Sequence, residues 1–192
     1  PVGEALACGG DALYKVKAFS EVGRFNSSLI AGEEPELCAR LRAKGWTVHR
    51  IDAEMTLHDA ALTRFGQWWR RNVRAGHAFA EVARMHGDGP LASWVRSTRS
   101  NLFWGVVYPL VLAAIGWPTG GWALLGLAAY PIMAIKIAAR RRHAFGDPWK
   151  HCWLFGAMVM IGKVPNAIGH VVFVANRLFR RSTRLIEYKA AR

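Results

Sequence analysis

The sequence predicts an α/β head followed by an α-helical membrane region, and three observations predict it. Charge is unevenly spread along the 192 residues, which carry a net +13: positions 1–61 hold seven Lys/Arg against nine Asp/Glu, leaving nineteen basic and four acidic residues beyond. Short apolar runs alternate with helical patterns through 1–61. Then 100–135 contains no charged residue at all. A near-neutral head on a basic, tryptophan-rich tail calls for an anionic surface as partner, and on charge alone nucleic acid and membrane both qualify. The uncharged stretch selects the membrane, because a soluble core helix shows a polar face every third or fourth residue. Membrane lipids are therefore the expected partner, and no nucleic acid.

The head reads as strand and helix in turn. Ala5-Leu6-Ala7-Cys8 is a short apolar run consistent with a buried strand. Gly9-Gly10 breaks it, and paired glycines let a backbone approach a ligand closely. Asp11 is then placed to cap a helix from Ala12. After a loop through Phe19, Val22, Gly23, Phe25 and Asn26 comes Gly32-Glu33-Glu34-Pro35-Glu36-Leu37. Three carboxylates at a helix start complement the dipole, and Pro35 suits the first turn. The spacing predicts a helix over 34–44, with Leu37 and Leu41 on one face, Arg40, Arg42 and Lys44 late, and Gly45 as its stop. Positions 46–51 alternate like a half-buried strand, and 55–59 read as a second strand ending in His58. Cys8, Cys38 and Cys152 are far apart with no C-x-x-C pair, which argues against a disulfide framework or zinc ribbon and fits a reducing compartment.

The tail begins with a helix over 62–86 that mixes Phe65, Trp68, Trp69, Val73 and Phe79 with Arg64, Arg70, Arg71, Arg74 and Arg84. Rings at headgroup depth with cations towards phosphate suit an interfacial helix, and the same pattern suits a helix packing on the head. Gly87-Asp88-Gly89-Pro90 ends it. A span needs about 20 apolar residues, so 102–116 and 122–135 read as two short spans joined by a turn at 117–121. Lys136, Arg140-Arg141-Arg142 and Lys150 follow, which puts both flanks of the hairpin on the cytoplasmic side. The third apolar stretch, 152–176, is interrupted by Lys163, Pro165, Asn166 and His170. Polar groups at bilayer depth are costly, so it reads as an in-plane or re-entrant helix, with a third crossing as the alternative. The expected units are 1–61, 62–99, 100–138 and 139–192.

Four motifs in order resemble the C-terminal half of a family 2 glycosyltransferase. Cys8-Gly9-Gly10-Asp11 resembles the glycine loop that approaches the donor sugar. Val22-Gly23-Arg24-Phe25-Asn26 is similar to the family's Val-Gly-Gly-Phe-(Asp/Asn) lead-in. Glu33-Glu34-Pro35-Glu36-Leu37 stands where the family has its Glu-Asp-x-x-Leu acceptor motif, with Arg40 and Leu41 continuing it. Gln67-Trp68-Trp69-Arg70 is similar to the Gln-x-x-Arg-Trp signature of processive members. The match covers roughly residues 3–80.

The resemblance implies the GT-A (Rossmann-like) fold for the head and sugar transfer from a nucleotide-sugar donor to a lipid-linked or polysaccharide acceptor in cell-envelope synthesis. It implies an inner-membrane, multi-pass protein with its catalytic part facing the cytoplasm. Glu34 takes the catalytic acid's position and is the expected general base, since inverting transfer needs a carboxylate to accept the acceptor hydroxyl's proton. Glu33 is its positioning neighbour, and a second acid nearby raises a base's pKa. Gly9, Gly10, Asp11, Gln67 and Arg70 are the implied donor- and acceptor-binding residues. His58 is an implied ligand of a divalent metal (Mg2+ or Mn2+) that assists the departing diphosphate. The departures are Glu for Asp at 34, Arg71 where the processive signature has Trp, and no Asp-x-Asp before the glycine loop. The donor half is therefore expected to lie N-terminal to Pro1, and the isolated chain to be inactive. The competing expectation is a non-enzymatic membrane scaffold that binds anionic lipid, with the acids at 33–36 acting only as a helix cap.

Overall fold

The computed structural model describes residues 2–53, 62–87 and 92–180. Within them the chain is predominantly helical. The strands are β1 (Gly3–Glu4) and β2 (His49–Arg50), two residues each and paired antiparallel. The helices are α1 (Val16–Glu21), α2 (Glu33–Ala43), α3 (Phe65–His86), α4 (Ala92–Leu102), α5 (Tyr108–Gly116), α6 (Ala129–Phe145), α7 (Trp149–Ile161) and α8 (Lys163–Leu178).

This overturns the expectation of an α/β, GT-A-like head. Such a fold needs parallel strands joined by crossovers, their faces covered by helices. Here the predicted strand at 5–8 is mostly loop, although the Ala5 N–H still donates to the Val48 carbonyl at 2.9 Å. The predicted strand at 46–51 shrinks to its centre. Its alternation is met only at Trp46 and Val48, which are half-buried, whereas His49, Arg50 and Ile51 are all exposed, and an isolated pair of short strands is marginal on its own. The strand predicted at 55–59 lies outside the described residues. The helix expected from Asp11 starts instead at Val16.

The core of the head is α2. Leu37 and Leu41 face Ala18 of α1, backed by Tyr14, Phe19 and Trp46, while Ala39 meets Val82 of α3 with Leu29 and Trp94 alongside. The helix is thus covered on two sides, and Leu37 is completely buried, which stabilises by about 2–3 kcal/mol. Gly32, at φ +83°, ends the preceding loop, and a Cβ there would sit 2.8 Å from the Trp94 ring. Small size and left-handed backbone are both required at that position.

The second half is built from helices that touch backbone to backbone. α4 and α5 are joined by a π turn over Phe103–Val107. Pro109 has no N–H for the carbonyl one turn back, and the wider turn absorbs the missing bond. The Tyr130 hydroxyl donates to the Trp104 carbonyl there at 2.6 Å. A 3-10 segment, Trp122–Ala128, leads into α6. Among the described residues two helices are long and apolar enough to cross a membrane: Trp122–Phe145, 24 residues, and Trp149–Leu178, 30 residues through the α7–α8 junction. The apolar length is therefore distributed differently from the sequence reading. The second predicted span is extended to Phe145, and the interrupted 152–176 stretch falls within two successive helices, α7 and α8, separated by a single turn residue at Gly162. A Cβ on Gly156 would stand 2.3 Å from the Ala134 carbonyl, so α6 and α7 pack with backbones in contact.

Candidate active site

The glycine loop and the head of α2 come together as the motif order suggests. A Cβ on Gly10 would lie 3.9 Å from Glu34 Oε1. Glu34 is half-buried in the first turn of α2. Among the described residues its carboxylate makes no hydrogen bond or ion pair. Glu33 is the first residue of the same helix and equally half-buried. The turn that starts α2 thus fixes both acids at the loop's edge.

Gly9, Asp11, Tyr14, Cys38, Trp46 and neighbouring residues line a cleft of about 640 Å³, to whose walls neither Glu33 nor Glu34 contributes. Cys8 lines it too, and here the sequence reading missed a cluster. The Cys8 sulfur lies 3.3 Å from that of Cys38 and 3.1 Å from the Tyr14 hydroxyl. The hydrogen bond from Cys38 is the main influence that lowers the Cys8 thiol to about 6, with Tyr14 adding to it and burial and Glu34 opposing. The same contact holds the Cys38 thiol well above its ordinary value. Burial first, then the bond to Cys8, raises Tyr14. A thiolate accepting from two protonated neighbours is the self-consistent arrangement. Thirty residues separate the two cysteines, so no spacing rule would pair them.

Glu36 was grouped with its acidic neighbours in the sequence but plays a different part. It is buried, and its carboxylate accepts from Arg40 Nε at 2.8 and 3.0 Å, from Arg40 Nη2 at 2.7 Å and pairs with His86 Nε2 at 3.0 Å. The same guanidinium donates to the carbonyls of Val22 and Arg24. Arg40 therefore clamps the Val22–Arg24 turn to α2, and His86 ties in the end of α3. The i,i+4 spacing of Glu36 and Arg40 was legible, whereas the partner fifty residues away was not.

The remaining predicted residues are less concentrated. Asp11 is exposed at the cleft. Gln67 uses its carbonyl oxygen to accept from the Thr63 and Arg64 N–H groups, both at 3.0 Å, and so caps α3. Arg70 is exposed on α3, one turn before Arg74, whose Nε donates to the Ile30 carbonyl at 2.8 Å. No hydrogen bond or ion pair among the described residues links Gln67 or Arg70 to Glu33 or Glu34. His58 lies outside the described residues. Within them no three His, Cys, Asp or Glu side chains converge closely enough to hold a metal ion.

The chain matches no protein-family model, and no curated protein or solved structure matches it significantly.

Proposed function

We propose that the chain takes part in sugar transfer at a membrane surface, from a nucleotide-sugar donor to a lipid-linked or glycan acceptor. The observation that carries this reading is the approach of the Gly9-Gly10 loop to Glu34. A loop without side chains leaves room for a sugar ring, and beside it stands a carboxylate with no hydrogen-bond or ion-pair partner among the described residues. In that role Glu34 accepts the proton of the attacking acceptor hydroxyl as the bond to the anomeric carbon forms and the diphosphate leaves. Glu33 holds the start of α2 and adds negative charge beside the base. Gly9 and Asp11 line the cleft where the donor or acceptor would lie, and Arg70 is exposed on the helix that packs against α2. The order of the four glycosyltransferase-like motifs supports the same reading.

The exposed apolar side chains of the two long helices, among them Leu124, Leu125, Ile132, Ile135, Leu154 and Ile161, support a membrane position, since such patches are rarely left to water. The cluster Arg140-Arg141-Arg142 at the α6–α7 turn supports an inner-membrane, multi-pass arrangement with that turn and the head on the cytoplasmic side.

The test is Glu34→Gln in the natural gene product that carries this chain, assayed with a panel of labelled nucleotide sugars and membrane acceptors. Transfer is expected to fall 100- to 10,000-fold, about the contribution of a positioned general base, with donor binding retained. Unchanged turnover removes Glu34 from the chemistry. No transfer by the wild-type protein with any donor would leave the scaffold reading, in which the acids are a cap alone.

A further inference from the structure

Lys163 stands inside the long apolar helix Trp149–Leu178, at the α7–α8 junction. Its ammonium donates to Ser100 Oγ at 3.1 Å and to Asn101 Oδ1 at 3.0 Å, both neutral. An ammonium has three N–H donors, so one remains. Lys163 has no carboxylate partner among the described residues. Of the four acids beyond residue 61, Glu81 lies 3.5 Å from His77 and Asp147 bridges Arg141 at 2.6 Å. Asp88 and Glu187 lie outside the described residues. A half-buried cation with only neutral partners is costly and draws in an anion.

The surroundings suit one kind of anion. Lys163, Asn72, Asn101 and Asn166 share a cleft of about 370 Å³ whose other walls include Trp68 and Phe155. Asn166 is buried. Its Nδ2 donates to the Gly162 carbonyl at 2.6 Å and to Asn72 Oδ1 at 3.2 Å, so its N–H groups are spent, and its buried oxygen is an acceptor that offers an anion nothing, which leaves Lys163 to supply the charge. The cleft is thus polar around one cation, aromatic on its rim, and set where the arginine-rich helix α3 meets the apolar helices. We infer that this cleft binds the phosphate of an anionic phospholipid headgroup, with Lys163 as its cationic anchor and Trp68 and Phe155 against the apolar part of the lipid. A compact ammonium suits phosphate as a point charge, and the aromatic walls give an amphiphile an advantage over free phosphate. The inference does not rest on the sugar-transfer reading, and it holds for an enzyme or a scaffold alike.

The test is native mass spectrometry of the full chain in neutral detergent, titrated with phosphatidylglycerol, phosphatidylcholine or inorganic phosphate. Wild type is expected to retain one phosphatidylglycerol in preference to phosphatidylcholine. Lys163→Met should weaken retention at least tenfold, while Lys163→Arg and the distant Arg140→Gln should keep it. Equal retention by Lys163→Met and wild type overturns the proposal, as does displacement of the lipid by inorganic phosphate at matched concentration. A second measurement needs no variant. Amine labelling of Lys163 in the wild-type chain should be slowed by phosphatidylglycerol and not by phosphatidylcholine. Labelling indifferent to either lipid overturns the proposal even if Lys163→Met fails to fold.

Discussion

The sulfur of Cys8, on the loop that leads into Gly9-Gly10, rests 3.3 Å from the sulfur of Cys38 in the middle of α2. The contact ties the glycine loop to the helix that carries Glu34, and it makes one thiol acidic at the other's expense. Cys8 should therefore react as a thiolate well below the range of an ordinary thiol. Its ionised fraction grows as pH rises through about 6, so alkylation by iodoacetamide, followed by peptide mapping, should be half-maximal near that pH and slow below it. Cys38→Ala removes the main cause of the shift, and the midpoint should then move up towards an ordinary thiol. A wild-type midpoint already at the ordinary value would mean that the sulfur contact does not persist in solution.

Glu36 should matter to stability where Glu34 matters to turnover. Removing one partner of a buried ion pair leaves the other charge stranded, and the full effect in a closed interior is about 3–5 kcal/mol. Arg40 and His86 keep some access to water, at 25% and 19% side-chain exposure, which reduces the loss. Glu36→Ala is expected to cost about 2 kcal/mol, read as a shift of the urea midpoint followed by circular dichroism. A double-mutant cycle with Arg40→Ala should show coupling of about 1 kcal/mol or more. Additive single effects would show that the Glu36–Arg40 pair itself contributes no coupling.

The contrast between the three acids shows how far the sequence could be read. Glu33, Glu34 and Glu36 look alike as a string, and the helix they begin was legible from dipole complementarity, Pro35 and the Leu37–Leu41 spacing. Which acid is buried depends on His86 and on two loop carbonyls, and no local pattern contains those. The same limit explains the fold error. Alternation at 46–51 signals a strand only if a sheet exists to bury one face, and here Trp46 packs on helices α1 and α2 while the residues from His49 on meet water. The long helix α3 and the turn at 117–121 could be placed because Gly and Pro punctuate them. The course of 152–176 could not, because Lys163 and Asn166 look prohibitive until Ser100, Asn101 and Asn72 are seen to receive them.

Glycine gives the last prediction, and α3 holds its own control. A Cβ on Gly76 would fall 2.0 Å from the Asn166 carbonyl oxygen, and one on Gly169 of α8 would fall 2.0 Å from that of Val73. Both neighbours are backbone, so neither side can yield by a rotamer change, and α3 and α8 must part to admit even a methyl group. Small residues that let helix backbones touch are the usual basis of packing between membrane helices. Gly66 lies ten residues earlier on α3 with nothing within 4 Å of its would-be Cβ. There alanine only removes the flexibility of glycine, which stabilises a helix by up to about 1 kcal/mol. Thermal unfolding in detergent, followed by circular dichroism, should therefore show opposite signs along one helix. Gly66→Ala is expected to hold or raise the midpoint, whereas Gly76→Ala and Gly169→Ala lower it by an amount equivalent to about 1–3 kcal/mol. Because Asn166 and Lys163 are carried by the helix that would be displaced, the two damaging variants should also weaken phosphatidylglycerol retention, and Gly66→Ala should not. If all three alanines behave alike, the close approach of α3 and α8 is not what holds the two helices together.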